Sequence, residues 1–132
     1  MPAPPAEESW PLGTVVWRRV PPWHFPKKVG QDRPNSAALD DDGVDEPMSV
    51  VVARAGRLPE DILRGHQDFG LVELTLETLQ KAGLMLVADP LPGEADHALV
   101  VGKKTLATKR YLAKQSRWVV RPPGTFPDPA KP

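Results

Sequence analysis

The sequence predicts an α+β fold: one mixed, mostly antiparallel sheet of about five strands with two or three helices packed on it. Three observations carry this. Five short runs are rich in β-branched or uniformly apolar residues. Three other short stretches carry helix start and stop signals. The links between them are too short for the long crossover helices of a doubly wound sheet. At 132 residues with no internal repeat, the chain is one domain's worth.

The first strand is expected over 13–20, where Gly-Thr-Val-Val-Trp-Arg-Arg-Val lies between prolines. Pro21-Pro22-Trp23-His24-Phe25-Pro26 reads as a stiff aromatic loop. Residues 27–46 show no periodicity and end in the acidic run Asp40-Asp41-Asp42-Gly43-Val44-Asp45-Glu46. They read as a long loop with one ordered piece near 36–39. A second strand follows over 48–53. Pro59 at a first helical turn, acids behind it and Gly65 at the end mark a short helix. A third strand is expected over 70–74. Thr75 then caps a helix over 76–82 that Gly83 closes. The apolar run 84–88 reads as a buried central strand. The turn-rich 89–94 leads to a fifth strand over 97–101, and a basic helix is expected over 103–118.

Seventeen prolines concentrate toward the ends. Proline lacks the N–H that ladders and helices need, so 1–11 reads as an extended N-terminal arm and 121–132 as a C-terminal tail. They flank a single domain over 12–120. The chain has no cysteine, which excludes disulfides, thiolate nucleophiles and Cys-ligated metal sites. No apolar run approaches 18 residues, and the acidic, Pro-rich start is unlike a signal peptide. The expected location is cytoplasmic, away from membranes. Net charge is zero, but the charges are segregated. Residues 1–30 carry four bases and two acids, 31–100 five bases and fourteen acids, and 101–132 eight bases and one acid. The two poles either pair within the fold or present themselves to partners.

On the expected basic helix, Lys103, Arg110, Lys114 and Arg117 fall in one stripe. Ala107, Thr108, Tyr111, Leu112, Gln115, Trp118 and Val119 form the face that packs. The stripe is a candidate ligand surface for a phosphate, a nucleic acid or an acidic protein patch. A solvated face paired with the acidic segment is the plainer reading. The neutral total and pI near 6.8 speak against a dedicated nucleic-acid binder. Gly102-Lys103-Lys104-Thr105 between strand and helix has the look of an anion-capturing turn, but His97 stands where a phosphate loop needs glycine. His24, His66 and His97 are isolated, and no metal-ligand spacing occurs. His97, beside Asp96 and the 89–94 loop, is the strongest histidine candidate. Of four tryptophans, Trp17 and Trp118 read as core. Trp10 and Trp23, in Pro-rich surroundings, pin the arm and loop or form a partner site.

Three pieces in order resemble the RES-type NAD-cleaving toxins, relatives of ADP-ribosyltransferases. They are Trp17-Arg18-Arg19, then Arg33-Pro34-Asn35-Ser36-Ala37-Ala38, then Met48-Ser49-Val50-Val51-Val52-Ala53. The resemblance covers about 40 residues and lacks the family's Gly-Gly, Trp-Asn and strand Tyr. It implies NAD as cofactor, with Arg18 or Arg19 at its phosphates and Arg33 corresponding to the Arg of the family's second segment. The core as a whole resembles small bacterial proteins with an Ala-Leu-Val-Val-Gly-Lys-Lys-Thr segment before a basic helix.

No catalytic set assembles from spacing. The leading expectation is therefore a bacterial accessory domain that binds a protein partner or itself, without cofactor or catalysis. The alternative is an NAD- or phosphate-directed enzyme built on Arg18, Arg19, Arg33, Ser49 and His97, which requires these groups to converge on one cleft. The third is nucleic-acid binding through 103–117.

Overall fold

The computed structural model describes residues 10–26 and 32–121. The fold is α+β. Six strands form one sheet in the order β4–β5–β2–β1–β3–β6, and every pairing is antiparallel. They are β1 (Val15–Val20), β2 (Met48–Val52), β3 (Gly70–Thr75), β4 (Met85–Ala88), β5 (His97–Val101) and β6 (Arg117–Val120). Helices α1 (Pro59–Ile62), α2 (Leu76–Lys81) and α3 (Leu106–Gln115), with 3-10 turns at Pro22–His24 and Ser36–Leu39, complete it.

Alternation along the strands divides the sheet into two faces. Val16, Val20, Met48, Val50, Val52, Val72, Leu74, Ala98 and Val100 point to the first face. There they meet Ala38 and Leu39 of the 3-10 turn, Leu76 and Leu79 of α2, and Leu112 and Ala113 of α3. The second face has thinner cover: Trp17 and Leu71 pack with Ile62 of α1 and the adjoining Leu63. α1 spans only four residues, so it covers one end of this face and leaves a groove beside it.

Three expectations change. The run 84–88 is not a central strand: β4 is an edge, and Met85 is 51% exposed while Leu86 is buried. The expected basic helix is shorter at both ends. Thr105 caps it, accepting from the Thr108 N–H at 3.1 Å, and Ser116 turns extended, so the chain enters β6 rather than helix. Arg-Trp-Val-Val suits a pleated surface, and the free edge of β3 accepts it. The packing face also rotates. Ala107 is exposed, whereas Lys109 turns partly inward; Tyr111 and Leu112 pack as expected. The 1–11 arm lies outside the described residues except for Trp10 and Pro11, and the 121–132 tail except for Arg121. Residues 27–31 of the long loop also lie outside. No helix among the described residues is long and apolar enough to cross a membrane.

Candidate functional site

The segregated charges meet inside the fold. Asp40 accepts from the Lys109 ammonium at 3.1 Å, Asp41 from Lys104 at 2.5 Å, and Asp42 from Arg18 at 2.8 Å. Arg121 donates to the Asp32 carboxylate. Lys104 is nearly fully buried, and its ammonium also donates to the backbone oxygens of Val100 and Gly102. The turn at 102–105 therefore spends its second lysine on internal partners, while Lys103 stays exposed.

Of the described cations outside this pairing, three share one place. Arg33, Arg110 and Lys114 line one cavity of about 690 Å³ between α3 and the segment leading into the Ser36–Leu39 turn. None of the three makes an ion pair among the described residues. Among the described residues no carboxylate lines the cavity. Phe25, Pro26, Pro34 and Tyr111 supply apolar walls, and Asn35 and Ser36 supply polar edges. Asn35 fixes this edge locally, because its side chain accepts from the Ala37 N–H at 2.9 Å and so caps the turn. Phe25 is held from behind by Trp118, whose ring stands edge-on 6.5 Å away.

Of the expected stripe, Arg110 and Lys114 reach this cavity. Lys103 is exposed on the loop before α3, and Arg117 lies on β6 opposite Glu73 of β3. Neither lines the cavity, because the helix covers neither position. Arg33, which the enzyme reading groups with Arg18, Arg19, Ser49 and His97, instead joins Arg110 and Lys114.

The second cavity, about 460 Å³, lies on the open sheet face beside α1. Arg18, Arg19, Ser49 and His97 all line it, with Trp17 and Ile62. The five residues of the enzyme reading thus do not converge: four share this groove and Arg33 lies in the other cavity. Arg18 is moreover committed to the framework. Its guanidinium donates to Asp42 and to the backbone oxygens of Ala38 (2.9 Å), Ser49 (2.9 Å) and Asp40 (3.3 Å).

His97 is oriented by Asp89, whose backbone oxygen lies 2.9 Å and carboxylate 3.1 Å from Nδ1. Two acceptors on Nδ1 place the proton there, leaving Nε2 as acceptor in the neutral ring. Glu94 in the same wall is held by Arg57 through two bonds, of 2.7 and 2.8 Å. That bidentate grip draws its carboxyl below the usual range, against desolvation that pushes it up. Arg19 makes no ion pair among the described residues; its Nη1 donates to Nδ1 of His66 at 3.1 Å. Partial desolvation, together with the neighbouring Arg18 charge, lowers its pKa, and the charges of Asp42 and Glu94 oppose this.

Trp23 is 66% exposed and stands edge-on to Phe69, 6.1 Å between centroids. Trp10 is partly buried against the core, pinning the start of the described chain. Among the described residues no group of three or more potential ligands is placed to hold a metal ion. No protein-family model, no curated protein and no solved structure matches this chain.

Proposed function

We propose that this protein is an interaction domain that docks an acidic segment of a protein partner in the cavity of Arg33, Arg110 and Lys114. One observation carries the reading. Three cations from two distant segments converge on one concavity that no carboxylate lines among the described residues. The neighbouring cations Arg18, Lys104, Lys109 and Arg121 are each neutralised by an aspartate. Left unneutralised and close together, like charges repel, so the arrangement favours an incoming anion.

The shape selects among anions. Aromatic and proline walls suit an extended peptide with apolar side chains between its carboxylates. A nucleic-acid duplex carries a charge about every 1.7 Å along its axis and needs a longer basic track than three side chains. The exposed acidic turn at 42–46 would repel such a line charge.

The test is a fluorescence anisotropy titration of the full chain against a labelled hexaglutamate peptide, a DNA duplex and a single-stranded RNA at low salt. The peptide is expected to bind, and Arg110→Glu and Lys114→Glu to abolish its binding. Tighter binding of either nucleic acid would replace this reading with the nucleic-acid one. Loss of peptide binding accompanied by concentration-dependent sedimentation would replace it with self-association.

A further inference from the structure

We infer that the groove on the open face of the sheet is a second site, which takes a small organic monoanion: a carboxylate carried on an aromatic body. Its volume, about 460 Å³, falls in the range of small-ligand sites. The groove exists because α1 is too short to cover β2 and β5. Ser49 and Val51 of β2 and His97 of β5 therefore face the groove from neighbouring strands, with Val51 directly opposite His97 in the ladder.

Charge counting fixes the ligand's valence. Asp42 is neutralised by Arg18, Asp61 by Arg64 and Glu94 by Arg57. Arg19 is the lining cation that has no carboxylate against it among the described residues. One uncompensated guanidinium calls for one negative charge, and its planar fork matches a carboxylate. His66 holds that fork by accepting one of its N–H groups, which positions it before any ligand arrives.

The apolar part of the site is also built. Trp17 and Ile62 form a wall, and Phe69 continues it toward the edge. Phe69 is itself braced edge-on by Trp23 and by His66, 4.9 Å away. These rings suit the faces and edges of an aromatic ligand. The indole N–H of Trp17 is buried in that wall with no acceptor among the described residues. His97, with its Nδ1 proton directed at Asp89, offers Nε2 as an acceptor, and Ser49 adds a hydroxyl. The site therefore favours a carboxylate whose body also carries a hydroxyl.

The experiment is an NMR titration of the full chain with 4-hydroxybenzoate, benzoate, phenyl phosphate and the neutral 4-hydroxybenzyl alcohol. The expected result is saturable shifts confined to Arg19, Ser49, Phe69 and His97, with 4-hydroxybenzoate binding more tightly than benzoate and the alcohol not binding. Arg19→Gln should weaken 4-hydroxybenzoate by about tenfold or more, the loss of a charge-assisted fork. Arg19→Lys, which keeps the charge and the fold but not the fork, should weaken it by a smaller factor. No saturable shift with either carboxylate overturns the proposal, as does equal binding of the alcohol. Binding unchanged in both Arg19 variants overturns it too. Binding of phenyl phosphate without the carboxylates overturns the assigned anion.

Discussion

Arg18 donates to the backbone oxygen of Ser49 at 2.9 Å, where β1 and β2 have ceased to pair. Their ladder pairs Val16 with Val52 and Trp17 with Val51, and the guanidinium links the two strands beyond those pairs. The same side chain reaches Ala38, Asp40 and Asp42, so it ties the acidic segment to the sheet. Arg18→Ala should cost about 2–4 kcal/mol, because it strands a carboxylate and several carbonyls. Arg18→Lys should recover little, since one ammonium cannot span acceptors that the planar fork reaches together. Urea melts of both variants measure this.

Gly102 has φ +136°, and a Cβ there would sit 2.8 Å from Cδ2 of the buried Leu84. Gly102→Ala should therefore destabilise by about 1–3 kcal/mol, through backbone strain and a crowded leucine. A thermal melt beside that of Gly13→Ala, whose Cβ meets nothing within 4 Å, separates the strain from a general glycine effect.

Trp118 packs its ring against Phe25 and donates its indole N–H to the backbone oxygen of Asp32 at 2.5 Å. Trp118→Ala should cost about 2–3 kcal/mol, less than a fully buried tryptophan because the ring is partly exposed. Arg110→Ala and Lys114→Ala should each shift stability by no more than about 0.5 kcal/mol. Denaturant melts of the three proteins give the comparison.

Five strand locations and the α+β class were legible because alternation and turn residues are local signals, as in 15–20 and 97–101. The sixth strand was not, because Arg117-Trp118 also continued a helical pattern. Ser116 breaks that pattern only because the edge of β3 offers Trp118 a place beside Val72. The edge position of β4 is set by strand order, which no local pattern encodes. Arg110 and Lys114 stood out in the sequence as exposed cations on one stripe. Arg33 could not be joined to them from sequence, since the cavity depends on how the Ser36–Leu39 turn docks on α3. Nor did the sequence show that Lys104 and Lys109 turn inward, a consequence of where Asp40 and Asp41 land.

Acid should weaken the fold through Glu94 and Asp40. Glu94 is held low chiefly by Arg57. Burial pulls Asp40 up, but the Lys109 hydrogen bond, the Asp41 N–H and the nearby lysine charges together outweigh it and hold it low. Both folded values lie below the unfolded ones, so this stability is fully present above the unfolded values, about 3.9 for Asp and 4.3 for Glu. It is lost as pH falls through the folded values. The urea midpoint should stay level from neutral pH to about 5 and then decline. Arg57→Ala should shift the midpoint down at neutral pH and make that acid decline shallower.

The most direct measurement is the affinity of the hexaglutamate peptide for the parent and for the combined variant Arg33→Ala, Arg110→Ala, Lys114→Ala, taken across a salt series. Binding by the parent should weaken steadily as salt rises, because exposed charges are screened within about 8–10 Å at physiological ionic strength. The variant should keep the parent's melting curve and lose both the affinity and its salt dependence. A folded variant that binds the peptide as tightly as the parent, with the same response to salt, would contradict docking at this cavity.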